Sequence, residues 1–210
     1  MISVLCVLWG DKYSHDYVRK LKAGFERHLS LPHRFRCITS QTVEGVECVP
    51  EQCPHPAWWQ KIGAFRPGFV TGPAILCDLD MLFVGSLDWV SYYLDADLAA
   101  IENWGSRARQ GPLYEDEISS AFMVWSGNAA TDPIFERFSA ADIRRLSPHG
   151  DQTFITEVMR GKVRLIPQER IASYKRHCAN GPPAAASVVA FHGFPRNHEV
   201  DDPWVKAAWA

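Results

Sequence analysis

The first thirty-eight residues constrain the fold most. Ile2 to Leu8 is a short apolar, β-rich run that stops at Trp9-Gly10-Asp11. From Ser14 onward Val18, Leu21, Phe25 and Leu29 recur at three- and four-residue steps, which is one face of a helix, and Leu31-Pro32 ends it. Arg34 to Ile38 reads as a second strand. Strand, helix and strand at this spacing form a βαβ opening, so an α/β fold with a mostly parallel sheet is expected.

The rest of the chain continues in that style. Residues 41 to 56 read as irregular, with Gly45, Pro50 and Pro54. Trp58, Ile62 and Phe65 predict a short helix ended by Pro67-Gly68. Ala74 to Cys77 is a buried strand, Met81 to Val84 continues as apolar chain, and Asp97 to Ile101 is another strand. Residues 103 to 118 have no period; a loop of that length inside a compact domain is more often functional than accidental. Ala121 to Trp125 is a strand, and Asp132-Pro133 is read as an N-cap followed by proline at the first helical position. A helix through Phe154, Ile155, Val158 and Met159 is closed by Gly161, and strands are expected at Val163–Ile166 and Ser187–Phe191.

At 210 residues the chain is expected to form a single domain, 1–210. Twenty-two basic against twenty-four acidic side chains leave a net charge of -2, which argues against a nucleic-acid binder, since that function needs a basic face. No run of eighteen apolar residues is present to span a membrane, and the apolar N-terminus lacks a basic leader and a small-residue cleavage site. The six cysteines are expected as reduced thiols in a cytoplasm. Cys48 and Cys53, with His55 nearby, lack the second close pair that a zinc site needs.

The most informative segment is Ala74-Ile75-Leu76-Cys77-Asp78-Leu79-Asp80. Ligands of open α/β sheets bind beyond the carboxyl ends of the strands. If the extended backbone persists, Asp78 and Asp80 point the same way. Two convergent carboxylates make a hard oxygen site suited to Mn²⁺ or Mg²⁺, an ion that bridges to a diphosphate. The plain alternative is a strand end with solvated carboxylates.

These residues, with Trp58-Trp59-Gln60-Lys61-Ile62 ahead of them, resemble the region leading into the D-x-D motif of GT-A glycosyltransferases, most similar to the glycogenin/galactosyltransferase-like group, family 8. Three later segments resemble that group in the same order. Ser119 to Trp125 resembles the strand bordering the sugar site, Gly150-Asp151-Gln152 resembles an Asp-Gln pair opening a helix, and Phe191 to Arg196 resembles the closing H-x-x-G-x-x-K segment. Arg196 stands where that segment has Lys, and Gly193 follows His192 directly. The likeness runs from Val4 to about Trp204, with a nucleotide-binding half at about 1–101 and an acceptor or closing half at about 102–210.

The resemblance implies a metal-dependent transferase that moves a sugar from a nucleotide-sugar donor, a UDP-sugar first, to a carbohydrate, lipid or protein acceptor. It implies metal ligation by Asp78, Asp80 and His192, catalytic roles for Lys61, Asp151 and Gln152, and donor contacts from Lys61, Asp78 and Arg196. Trp9, Gly10 and Tyr13 follow the first strand, where the base lies in this fold; Trp9 or Tyr13 would stack on it, unless Trp9 belongs to the core. Asp11 would accept from the base or cap the next helix; for Asp151 the alternative to the family role is an N-cap without any catalysis. His192 alone reads equally as a hydrogen-bonded strand-end histidine. Arg66 adds either a cation or a solvated helix end; Trp104, Arg107, Arg109 and Tyr114 would shape the acceptor site. A sugar-binding protein without turnover is the non-enzyme alternative. A HAD-like phosphohydrolase would carry its D-x-D on the first strand, not near residue 80.

Overall fold

The structure is a computed structural model and describes residues 1–104, 116–147 and 150–209. Arg107, Arg109 and Tyr114 therefore lie outside the described residues. The opening is the βαβ unit its periodicity predicts: β1 (Ile2–Val7), α1 (His15–His28) and β2 (His33–Ile38). β1 and β2 are parallel, in register from Ile2 with His33 to Val7 with Ile38.

Further strands complete a seven-stranded sheet. They are β3 (Glu47–Val49), β4 (Ala74–Cys77), β6 (Leu98–Glu102), β7 (Ile118–Trp125) and β8 (Val163–Leu165), in the order β3-β2-β1-β4-β7-β6-β8. All neighbours are parallel except β7, which runs antiparallel to both β4 and β6. Its reversed direction brings the start of β7, rather than its end, to the rim where β1 and β4 finish.

Alternation along the strands divides the core between the two faces of the sheet. Val4 and Cys6 of β1 pack with Val18, Leu21 and Phe25 of α1, whereas Leu5 packs with Leu76 of β4 and with Phe154 and Ile155 of α4 (Asp151–Met159) on the other side. Each such fully buried side chain contributes about 2 kcal/mol. Phe25 lies 4.7 Å from Phe83, edge to face. Phe83 belongs to β5 (Met81–Phe83), part of a second, three-stranded sheet in the order β5-β10-β9, with β9 at Ile171–Ser173 and β10 at Val188–Ala190. Met81 to Phe83 is thus more than continuing chain. It pairs antiparallel with β10, Met81 opposite Ala190.

Other expectations change in detail. The stretch 41–56 contains the edge strand β3. The Trp58–Phe65 segment is a 3-10 helix, Ala57–Phe65, not an α-helix. A second 3-10 helix, Asp88–Tyr93, has no apolar period to announce it. Asp132 is the first residue of α2 (Asp132–Glu136), and Thr131 holds the cap position. A short helix α3 (Ala140–Arg145) follows, closed at its start by a capping box between Ser139 and Asp142. The last helices are α5 (Tyr174–His177) and α6 (Pro203–Trp209). Among the described residues no helix is long and apolar enough to cross a membrane. All six cysteines are free thiols; Cys48 accepts from the Val43 N–H at 3.3 Å, while Cys53 is buried in the core under the Ala57–Phe65 helix.

Candidate active site

A cavity of about 900 Å³ opens at the sheet rim. Trp9, Gly10 and Tyr13 line it from the loop after β1, Asp78 and Asp80 from the turn after β4, Ser119 to Ala121 from the start of β7, Asp151 and Gln152 from the start of α4, and His192 from beyond β10. Lys61 reaches it from the Ala57–Phe65 helix. Sequence positions from Trp9 to His192 meet in one concavity, at the edge where α/β sheets bind ligands.

The Asp-Leu-Asp segment does not stay extended. β4 ends at Cys77, and Leu79 and Asp80 form a turn into β5. The two carboxylates consequently take different partners. Asp78 Oδ1 is 2.7 Å from Lys61 Nζ, and Asp80 Oδ2 accepts a 2.6 Å hydrogen bond from the Tyr13 hydroxyl. The Asp80 carbonyl also accepts from the Phe191 N–H at 2.9 Å, which ties the turn to the residue before His192.

Lys61 is the electrostatic centre of the site. Its buried ammonium faces Asp78 and lies 3.6 Å from Asp151 Oδ2, and it donates to the Ser120 hydroxyl at 3.2 Å. Burial opposes its charge, but Asp151 and Asp78, with Asp80 beyond them, hold its proton more tightly than in an ordinary lysine. Asp151 is not the N-cap of α4; Gly150 holds that place with φ 89, and the Asp151 side chain turns toward Lys61 instead. Burial pushes the Asp78 carboxyl up to about 7; Lys61 pulls it down, while Asp80 and Asp151 reinforce the rise.

His192 stacks on Trp104, ring centroids 5.2 Å apart, and its Nε2 is hydrogen-bonded to the Ser173 hydroxyl at 2.7 Å. Burial lowers its pKa, Lys175, Arg176 and His177 add to the fall, and Asp80 opposes it. The imidazole is therefore neutral at pH 7, the state a metal ligand needs. Trp9 is 42% exposed on the cavity wall and so is not a core residue. Ser14, not Asp11, holds the cap position of α1, and Asp11 lines the cavity.

Arg196 stands apart from the cavity lining. Its guanidinium lies 5.7 Å from the Tyr13 ring centroid and donates to the Lys12 carbonyl at 3.0 Å, so it braces the β1 loop from behind. Arg66 turns to Gln52 at 2.9 Å. Sequence reasoning missed Trp58, Asn103 and Arg176, which also line the cavity. Arg176 sits on a four-residue helix, too short to show a period.

Among the described residues no three Asp, Glu, His or Cys side chains converge closely enough to hold an ion. In kind, the donors fit a hard divalent cation: the Asp78 and Asp80 carboxyls and a neutral imidazole line one cavity, with the Asp151 carboxyl facing the buried Lys61 ammonium beside them. In arrangement, ligation requires Asp80 to share Tyr13's hydrogen bond, and His192, whose Nε2 is engaged with the Ser173 hydroxyl, either to offer Nδ1 or to release Ser173.

The shifted groups set opposite pH dependences in metal-free protein. Folded Asp78 keeps its proton to about pH 7, whereas in the unfolded chain it loses it near pH 4, so its contribution to stability falls as pH rises through that window. Folded His192 takes up its proton less readily than the unfolded chain, so its contribution falls as pH drops below about 6.5. Urea unfolding in EDTA across pH 4 to 8 is expected to show a smaller loss of stability with rising pH for Asp78→Asn than for the natural protein. Parallel profiles would show that Asp78 is not the titrating group.

The fold itself has clear counterparts. A structure of the galactosyltransferase LgtC with donor and acceptor sugar analogues superposes with a TM-score of 0.66 at 12% identity, over 100% of this chain and 92% of that one. An active-site mutant of LgtC gives 0.70 at 9% identity over 94% and 89%. The chain has the GT-A glycosyltransferase fold. The glycosyltransferase GlyE of Streptococcus pneumoniae TIGR4 shares it, with a TM-score of 0.70 at 12% identity over all of this chain and 60% of GlyE. At these identities the likeness is one of GT-A architecture. No family profile matches the sequence, and no curated protein matches it.

Proposed function

We propose that the protein is a glycosyltransferase that moves a sugar from a nucleoside-diphosphate donor, a UDP-sugar first among candidates, to an acceptor hydroxyl. The observation that carries this reading is the meeting of Trp9, Tyr13, Lys61, Asp78, Asp80, Asp151, Gln152 and His192 around one cavity of a GT-A fold. Transfer breaks the bond between the anomeric carbon and the diphosphate oxygen and forms one to the acceptor oxygen, whose proton is released. Trp9 and Tyr13 offer ring faces to the base. Lys61 holds the Asp78 and Asp151 carboxyls in place, and Asp151 and Gln152 present polar groups to the sugars. Mn²⁺ or Mg²⁺ would be held by Asp78, Asp80 and His192, and there it would stabilise the charge developing on the departing diphosphate.

The purified protein, given a panel of UDP-, GDP- and dTDP-sugars with Mn²⁺, is expected to release nucleoside diphosphate from at least one donor, with the release suppressed by EDTA. Binding of a donor without release across a panel of acceptors would favour a binding protein. Absence of both binding and release would overturn the reading.

A further inference from the structure

We infer that Trp58 is a stacking platform for a pyranose ring at the sugar end of the cavity, an inference that rests on the transferase reading above. Trp58 and Trp59 are adjacent but face opposite ways. Trp59 is buried and stacks on Phe138, centroids 5.1 Å apart, while Trp58 is 51% exposed and lines the cavity. Leaving about half an indole in water forgoes roughly 2–3 kcal/mol of burial.

The local backbone is arranged to hold the ring there. Ala57, just before it, has φ 57, a left-handed conformation that costs an alanine about 1 kcal/mol or more. On the other side the chain supplies a glycine: a Cβ at Gly150 would stand 3.0 Å from Trp58 Nε1. A side chain at position 150 would crowd the indole, which sits beside Asp151 and Gln152 and on the same helix as Lys61. Strain and bareness at one wall of a binding cavity mark a surface kept for a ligand.

The chemistry of the face selects that ligand. An indole presents a broad apolar face with negative charge density above the ring. The axial C–H bonds of a pyranose form a matching flat patch of weakly positive hydrogens, while the sugar hydroxyls remain free at its edges for Asp151 and Gln152. The ring comes either from the donor sugar or from a saccharide acceptor, and the two arms of the test separate them.

The first arm measures, by calorimetry with Mn²⁺, how much more tightly UDP-galactose and UDP-glucose bind than UDP. The second follows methyl β-galactoside, methyl β-glucoside, lactose and maltose by ligand-observed NMR. Trp58→Ala is expected to weaken the sugar-dependent binding at least tenfold in one arm, with the protein still folded at a somewhat lower melting temperature and UDP affinity unchanged, while Trp58→Phe retains most of the sugar-dependent binding. Loss in the first arm assigns the donor sugar, and loss in the second assigns a saccharide acceptor. Sugar binding equal in Trp58→Ala and the natural protein overturns the inference, as does a natural protein that binds no saccharide and prefers no UDP-sugar to UDP. If UDP still binds in that case, the transferase reading stands. Saccharide binding lost with Trp58 in a protein that ignores UDP would retain the platform and remove the transferase.

Discussion

Lys61→Met is expected to destabilise the protein by about 3 kcal/mol and to reduce donor turnover about 100-fold. The lysine stands between Asp78 at 2.7 Å and Asp151 at 3.6 Å, and burial denies both the full solvation that would replace it. Methionine fills similar volume, so the loss measures charge rather than packing. The penalty falls on the carboxylates left behind, which makes it pH-dependent. At pH 5 Asp78 is already largely protonated, since its pKa is about 7 even with Lys61 present, and the variant should then be closer to the natural protein than at pH 8. Urea midpoints at the two pH values read this directly. A variant as stable as the natural protein at pH 8, with a parallel pH profile, would mean that the ammonium does not hold these acids.

Asp80→Asn is expected to reduce Mn²⁺-dependent donor binding at least 100-fold, with little change in stability. The amide oxygen can still accept from Tyr13, so the 2.6 Å contact survives while the charge is lost. Tyr13→Phe makes the complementary change. It removes the hydrogen bond but leaves the carboxylate, and donor binding should fall less than tenfold. Calorimetric titration of donor with and without Mn²⁺ distinguishes the two roles. Equal losses in both variants would assign Asp80 to holding Tyr13 rather than to a cation.

The elements with strong periodicity were legible in the sequence because burial imposes it. Val18, Leu21 and Phe25 all lie under α1, and the unbroken apolar run of β4 reflects a central strand covered on both faces. β3 was hidden because Glu47–Val49 is a three-residue edge strand whose side chains are all half-buried, with no alternation to read. The second sheet was hidden because the partner of Met81 is Ala190, and pairing at that separation leaves no local trace. Within the site, carboxylate chemistry at a strand end pointed to Asp78 and Asp80, and the family resemblance pointed to Lys61, Asp151 and His192, all of which line the cavity. Where those side chains turn was not legible. The turn after Cys77 sends Asp78 and Asp80 to different partners, and Arg196 turns to the Lys12 carbonyl. Trp58 read as an ordinary apolar position of a helix, because nothing in composition distinguishes an indole that packs from one left bare.

The small second sheet acts as a gauge between two parts of the site. Asp80 immediately precedes β5, His192 is the second residue after β10, and the pairing of Met81 with Ala190 is extended by the Phe191-to-Asp80 backbone bond. The spacing of carboxylate and imidazole is thereby set by main-chain pairing, which shifts only in whole-residue steps. Drift in the surrounding apolar side chains can soften this corner without altering that spacing, whereas inserting or deleting one residue in either strand would dismantle the pairing and separate the two groups at once.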